Sequence, residues 1–156
     1  MVLGKALTAG YLGHAATLAT SEVYNAFLGD SYQKAFMHGP TFMANPLACS
    51  VSLKSIEIFQ RDNYLEKVNQ IESFFIEHFN SFKHPSIEDI RVLGCMLVIQ
   101  TTDQNVLSGF KAFSIENGVW LRPIGKFLYA TPPFIISKPS LIKIIETIKL
   151  WFDRKK

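Results

Sequence analysis

The apolar side chains change period near Ile87. Between 46 and 80 they recur at helical spacing, and from Ile87 onward they fall into short β-rich runs separated by glycine. A chain with that change cannot be a helical bundle or an all-β barrel. It reads as a helical stretch over 46–80 followed by a compact α+β unit over 87–156. Asn45-Pro46 marks the start of the helical stretch, because asparagine caps free amides and proline lacks only an N–H that has no partner in a first turn. That helix is expected to run to about Phe59. Asn63, with Glu66 at capping-box spacing, reads as the N-cap of the next. Its apolar face is Leu65, Val68, Ile71, Phe75 and Phe79. Residues 81–87, with Pro85, read as loop.

Beyond Ile87, the runs holding Ile90, Val92, Leu97 and Ile99 read as one or two strands divided at Gly94. Val106, Leu107, Phe110 and Phe113 predict a helix stopped by Asn117-Gly118. Val119–Leu121 and Phe127–Tyr129 read as short strands, the second ended by Pro132-Pro133. Ser137 is expected to cap a last helix carrying Leu141, Ile144, Ile145, Ile148 and Trp151, with the basic end Arg154–Lys156 at its negative pole. The Phe74-Phe75 and Phe110/Phe113 groups read as core. Ahead of all this, 1–19 reads as turn and strand, with His14–Ala19 a short buried strand. Thr20 caps a helix to about Leu28, and 32–44 forms a loop around His38-Gly39-Pro40-Thr41. The expected division is 1–45, 46–80 and 81–156.

Composition narrows the function classes. The 156 residues are 48% hydrophobic and 19% charged, a packed globular balance and not a disordered one. The net charge of +3, with no basic run longer than Arg154-Lys155-Lys156, gives no reason to expect nucleic acid. No stretch approaches the roughly 18 apolar residues of a membrane span, so no membrane partner is expected. Cys49 and Cys95 lack the paired spacing of a zinc site, so no metal is expected, and they read as reduced thiols of a cytoplasmic protein.

Taken singly, the polar candidates stay open. Lys5 is either a solvated surface lysine or an amine held by an irregular loop for Schiff-base chemistry. Gly39-Pro40-Thr41 is either a plain turn or an anion cradle of hydroxyl and amides. Arg122 is either a surface arginine or a rigidly placed fork for a carboxylate. His14 and His38 have no partner at ligand spacing and read as structural.

Taken together, three stretches resemble the class III, pyridoxal-phosphate-dependent aminotransferases. They are Gly4-Lys5-Ala6-Leu7-Thr8-Ala9-Gly10-Tyr11-Leu12, Phe36 to Cys49 around Gly39-Pro40-Thr41-Phe42-Met43, and Asn117-Gly118-Val119-Trp120-Leu121-Arg122-Pro123-Ile124-Gly125-Lys126. Within that class the Gly-Pro-Thr-Phe-Met and Val-Trp-Leu-Arg-Pro forms are most similar to the adenosylmethionine–8-amino-7-oxononanoate aminotransferases. The resemblance implies an α/β fold: the end of the large domain of a fold-type I transferase, followed by its small α+β C-terminal domain. It implies that Lys5 bonds covalently to pyridoxal 5'-phosphate and moves the Cα proton. Pro40 and Thr41 would bind the cofactor, Thr41 meeting the phosphate from the second subunit of a homodimer. Gly39 and Arg122 would bind substrate, Arg122 through its carboxylate. The substrates implied are S-adenosylmethionine and 8-amino-7-oxononanoate, giving 7,8-diaminononanoate in biotin biosynthesis.

Another class III ω-amino acid aminotransferase, or a non-catalytic interaction domain, are the competing readings. Ala9 departs from the family's usual second glycine, which matters if its φ is positive. The family's parts that meet the pyridine nitrogen and stack on the ring precede the lysine. They have no counterpart in these residues, so the sequence is expected to be the C-terminal portion of such an enzyme. Alone it is expected to be inactive, with 1–45 loosely ordered and rich in exposed apolar surface.

Overall fold

The computed structural model describes residues 1–154, and they form two compact units, Met1–Asp62 and Asn63–Lys156. The expected role of Lys155 and Lys156 at the end of the last helix lies outside the described residues.

In the first unit, β1 (Val2–Leu3) pairs antiparallel with β2 (Ala16–Thr17), in the register Val2↔Thr17 and Leu3↔Ala16. The segment His14–Ala19 thus pairs as expected, but over two residues, and it is not buried. A 3-10 turn, Lys5–Thr8, lies between the strands. Helix α1 (Ser21–Ala26) starts where Thr20 Oγ1 accepts from Val23 N–H at 3.4 Å. Helix α2 (Pro46–Arg61) starts where Asn45 Oδ1 accepts from the amides of Leu47 and Ala48 at 3.0 and 3.3 Å. Pro46 costs this helix nothing, since its missing N–H would have had no partner there. Among the described residues of this unit, Ala48 is the one buried apolar side chain, beside buried Thr8 and Ser52. Tyr11, Tyr32, Met37 and Phe42 are each more than four-fifths exposed.

The second unit opens with α3 (Tyr64–Phe79), which buries Ile71, Phe75 and Phe79. Two expectations fail here. Leu65 is exposed, outside the buried stripe. Asn63 makes no side-chain cap, because its backbone is left-handed (φ 49°, ψ 52°) and directs the side chain away from the free amides. Asparagine suits the position for another reason: it tolerates that conformation better than most residues.

Strands β3 (Ile87–Leu93), β4 (Met96–Thr101) and β5 (Phe127–Ala130) form an antiparallel sheet in that order. Leu97, Ile99 and Thr101 alternate inward on β4, and Leu128 and Ala130 on β5. Helices α4 (Phe110–Glu116) and α5 (Lys138–Asp153) complete the core with Phe110, Phe113, Leu141, Ile145, Ile148, Trp151 and Phe152. Each fully buried phenylalanine contributes on the order of 1.5–3 kcal/mol through water removed from its ring. Ser137 caps α5 as expected, its Oγ accepting from Ser140 N–H at 3.3 Å.

The stretch read as one helix from Val106 to Phe113 is two elements. A 3-10 turn, Gln104–Leu107, ends at extended Ser108, and Gly109 at φ +82° restarts the chain as α4. Asp103 favours the short turn, because its carboxylate accepts from Asn105 N–H at 2.7 Å. Val119–Leu121 is not a strand. It makes no ladder with the sheet, and its backbone bonds instead to Ser114 on α4.

Candidate functional site

Lys5 opens its 3-10 turn directly after extended Gly4, with its own φ at +49°. That region costs an L-residue about 1–2 kcal/mol and persists only where surrounding structure enforces it. The enforcement is visible. Thr8, at the end of the turn, is fully buried, and its hydroxyl donates to the Leu12 carbonyl at 2.5 Å. Leu7 N–H donates to the Gly4 carbonyl at 3.1 Å, and Ser55 on α2 donates to the Ala6 carbonyl at 3.4 Å. The Lys5 side chain is exposed, and among the described residues its amine has no hydrogen bond or ion pair. Ala9 closes the turn at φ +50°, so the methyl does occupy a strained position.

Gly39, Pro40 and Thr41 lie on an exposed turn closed by Met43 N–H donating to the Pro40 carbonyl at 3.0 Å. The approach to this turn is fixed by rings: Phe36 lies 5.3 Å from Phe27 and 5.8 Å from His38. His38 is therefore an aromatic spacer in this loop. Gly39 is not required by its own surroundings. Its φ is not positive, and a Cβ there would meet only Met43 Cε, at 3.8 Å.

Arg122 is exposed and follows buried Leu121. It borders a cleft of about 630 Å³ shared with Trp120, Tyr129, Pro132, Ser140 and Lys143. Aromatic walls with cationic groups suit a ligand that has an apolar chain and a carboxylate. Lys126, at the far end of the Arg122 loop, donates to Glu88 Oε2 at 2.8 Å, and Gln100 Nε2 donates to the same oxygen at 2.7 Å. Those bonds hold the Glu88 carboxyl below its usual range, Lys126 contributing most.

Lys5, Gly39, Pro40 and Thr41 thus belong to the first unit and Arg122 to the second. Among the described residues no hydrogen bond joins Lys5 to Thr41.

Residues 1–152 match the family Aminotransferase class-III. The chain belongs to the class III aminotransferases. It is 41% identical to the adenosylmethionine-8-amino-7-oxononanoate aminotransferase of Corynebacterium glutamicum, over 92% of this chain and 34% of that protein. It is 36% identical to the enzyme of the same name from Buchnera aphidicola subsp. Schizaphis graminum, over 98% of this chain and 35% of that one. The crystal structure of adenosylmethionine-8-amino-7-oxononanoate aminotransferase from Methanocaldococcus jannaschii superposes with a TM-score of 0.80 at 30% identity, covering 98% of this chain and 38% of that one. A Bacillus anthracis aminotransferase superposes at 0.81 and 26% identity, with the same coverage. This class III aminotransferase chain therefore spans about a third of the length of the curated relatives it matches. Its mixed helix and sheet is an α/β portion of the aminotransferase fold.

Sequence reasoning missed the groups beneath the exposed ones. Thr8 under the Lys5 turn, and Ser114 and Thr101 at the ends of the Arg122 loop, are all fully buried polar residues. One signal for Ser114 exists: a hydroxyl next to Phe113 on the apolar face of a short helix. Thr101 carries none, because threonine is ordinary in a strand.

Proposed function

We propose that this chain supplies the lysine, the phosphate-side turn and the carboxylate-binding arginine of a pyridoxal-phosphate-dependent aminotransferase. The enzyme takes an amino group from S-adenosylmethionine and passes it to 8-amino-7-oxononanoate, giving 7,8-diaminononanoate in biotin biosynthesis. The observation that carries this reading is the 41% identity to an enzyme of that name over 92% of this chain, within a class III family match over residues 1–152 that contains Lys5, Thr41 and Arg122.

The residues present suit pyridoxal 5'-phosphate. Lys5 offers an exposed amine without a competing carboxylate, Thr41 an exposed hydroxyl without a partner among the described residues, and Gly39 a backbone open to close approach. When bound, pyridoxal phosphate supplies an aldehyde for amine exchange and a ring that accepts the electron pair released at Cα. The work of this chain is placement and proton transfer. Lys5 Nζ would hold the cofactor, and as a free amine it would take the Cα proton and return it. Thr41 Oγ1 would donate to a phosphate oxygen of the site formed with a second copy, in a homodimer as the working form. Pro40 limits the freedom of that turn. Arg122 binds the oxo acid carboxylate through its planar fork.

The test is chemical. The chain is incubated with pyridoxal phosphate, the amine–aldehyde linkage is fixed with borohydride, and the label is mapped by peptide mass spectrometry. Label concentrated on Lys5 and lost in Lys5→Ala is the expected result. Label spread evenly over the surface lysines would overturn the assignment. In an enzyme carrying this chain, amination of the oxo acid is expected with S-adenosylmethionine and not with ornithine or 4-aminobutyrate.

A further inference from the structure

We infer that Ser114 and Thr101 are positioning residues for Arg122: their buried hydroxyls fix the two ends of the loop that presents the guanidinium. The inference rests on the reading of Arg122 as the carboxylate receptor.

Residues 122–126 have no strand ladder to hold them. Their one internal tie is the Ile124–Phe127 bridge, with N–H···O distances of 2.8 and 2.9 Å in the two directions. The direction in which Arg122 leaves the backbone therefore depends on its anchors. At the near end, Ser114 Oγ donates to the Lys111 carbonyl of its own helix at 2.9 Å and accepts from the N–H of Leu121, the residue before Arg122, at 3.4 Å; the Leu121 carbonyl oxygen also lies 3.4 Å away. The Ser114 carbonyl also accepts from Val119 N–H at 2.8 Å. At the far end, the carbonyl of Lys126 accepts from the backbone N–H of Thr101 at 2.9 Å and from its hydroxyl at 3.0 Å, a hydroxyl shared with the Asp103 carbonyl at 2.9 Å.

Ser114 and Thr101 are both fully buried. A hydroxyl among phenylalanines is costly unless it is partnered. Each of these two hydroxyls bonds one local carbonyl, of Lys111 or Asp103, and also the backbone flanking one exposed arginine. Pro123 restricts the backbone on the other side of Arg122. The loop is thus clamped at both ends, and Arg122 directly follows the near clamp.

The test titrates the full chain with nonanoate, a straight-chain monocarboxylate, by calorimetry. Four variants are compared with the unmodified chain: Arg122→Ala, Ser114→Ala, Thr101→Val and Thr101→Ser. Hydrogen exchange is followed amide by amide. Arg122→Ala is expected to abolish binding. Ser114→Ala and Thr101→Val are each expected to weaken it about fivefold, the effect of one neutral hydrogen bond. Thr101→Ser, which keeps the hydroxyl, should retain the unmodified affinity. Exchange should quicken at 119–127 and not across the rest of Asn63–Lys156.

Unchanged affinity in Ser114→Ala and Thr101→Val, with Arg122→Ala defective, overturns the positioning role alone. So does faster exchange throughout the unit, which would mark a packing role. Unchanged affinity in Arg122→Ala, or no nonanoate binding by the unmodified chain, overturns the reading of Arg122 as well.

Discussion

The backbone N–H of Gly94 donates to Glu72 Oε1 at 3.0 Å, across 22 positions of sequence. This bond ties α3 to the hairpin between β3 and β4. Gly94 sits at φ +55°, and a Cβ there would stand 3.0 Å from Val68 Cγ1. Gly94→Ala should therefore cost about 2 kcal/mol, from backbone strain and crowding together. Glu72→Ala should cost about 1 kcal/mol, since it leaves a half-buried N–H without its acceptor. Urea denaturation measures both, and an unmoved midpoint for Gly94→Ala would contradict the crowding.

Two asparagines precede helices and should respond differently to substitution. Asn45→Ala removes a side-chain cap and should cost about 1 kcal/mol. Asn63 makes no cap, so what matters there is its left-handed backbone. Asn63→Gly should be tolerated without loss, whereas Asn63→Ala should cost about 1 kcal/mol. Helicity and melting temperature of the variants distinguish the two roles. A loss in Asn63→Gly as large as in Asn63→Ala would restore the capping explanation.

Ala9 closes the Lys5 turn at φ +50°. Ala9→Gly should relieve that strain and stabilise the turn by up to about 1 kcal/mol, less what glycine loses in the unfolded chain. Slower amide exchange at Ala9 and Tyr11 would register the gain. Faster exchange would show that the methyl makes a contact worth more than the strain.

Acid should weaken the Lys126–Glu88 pair. Glu88 titrates below its ordinary value because Lys126 and Gln100 hydrogen-bond to its charged form. A carboxylate with a lowered folded-state pKa adds stability above its unfolded value, and that stability is lost as pH falls through the folded one. An NMR titration of Glu88 should show the low midpoint, and Lys126→Ala should raise it. A midpoint that ignores Lys126 would remove the pair from the account. Both groups are largely exposed, so salt should shrink the effect.

Local rules carried the sequence reading where one residue's chemistry decides the structure. Asn45-Pro46, Thr20 and Ser137 begin helices as their side chains require, and Phe75, Phe110 and Phe113 are buried as their spacing requires. The failures came where distant partners decide. Val119–Leu121 has strand-like residues, yet Ser114 takes its backbone bonds. Val106 to Phe113 has helical spacing, yet Gly109 in the left-handed region and the Asp103 carboxylate divide it. The proposed site residues Lys5, Thr41 and Arg122, all three exposed, were singled out through motif resemblance. The buried hydroxyls beneath them were not, because burial depends on tertiary packing and no local pattern announces it.

Apolar packing is distributed unequally between the two units. The contiguous core lies wholly within Asn63–Lys156, while Met1–Asp62 buries little beyond Ala48, Thr8 and Ser52. Lys5 stands on the weakly packed side and Arg122 on the strongly packed side. Local opening begins where few apolar contacts must be broken. On heating, the turn that carries Lys5 should therefore melt while the loop that carries Arg122 still stands, and on the roles proposed for them a warmed sample would lose its hold on aldehydes before its hold on carboxylates.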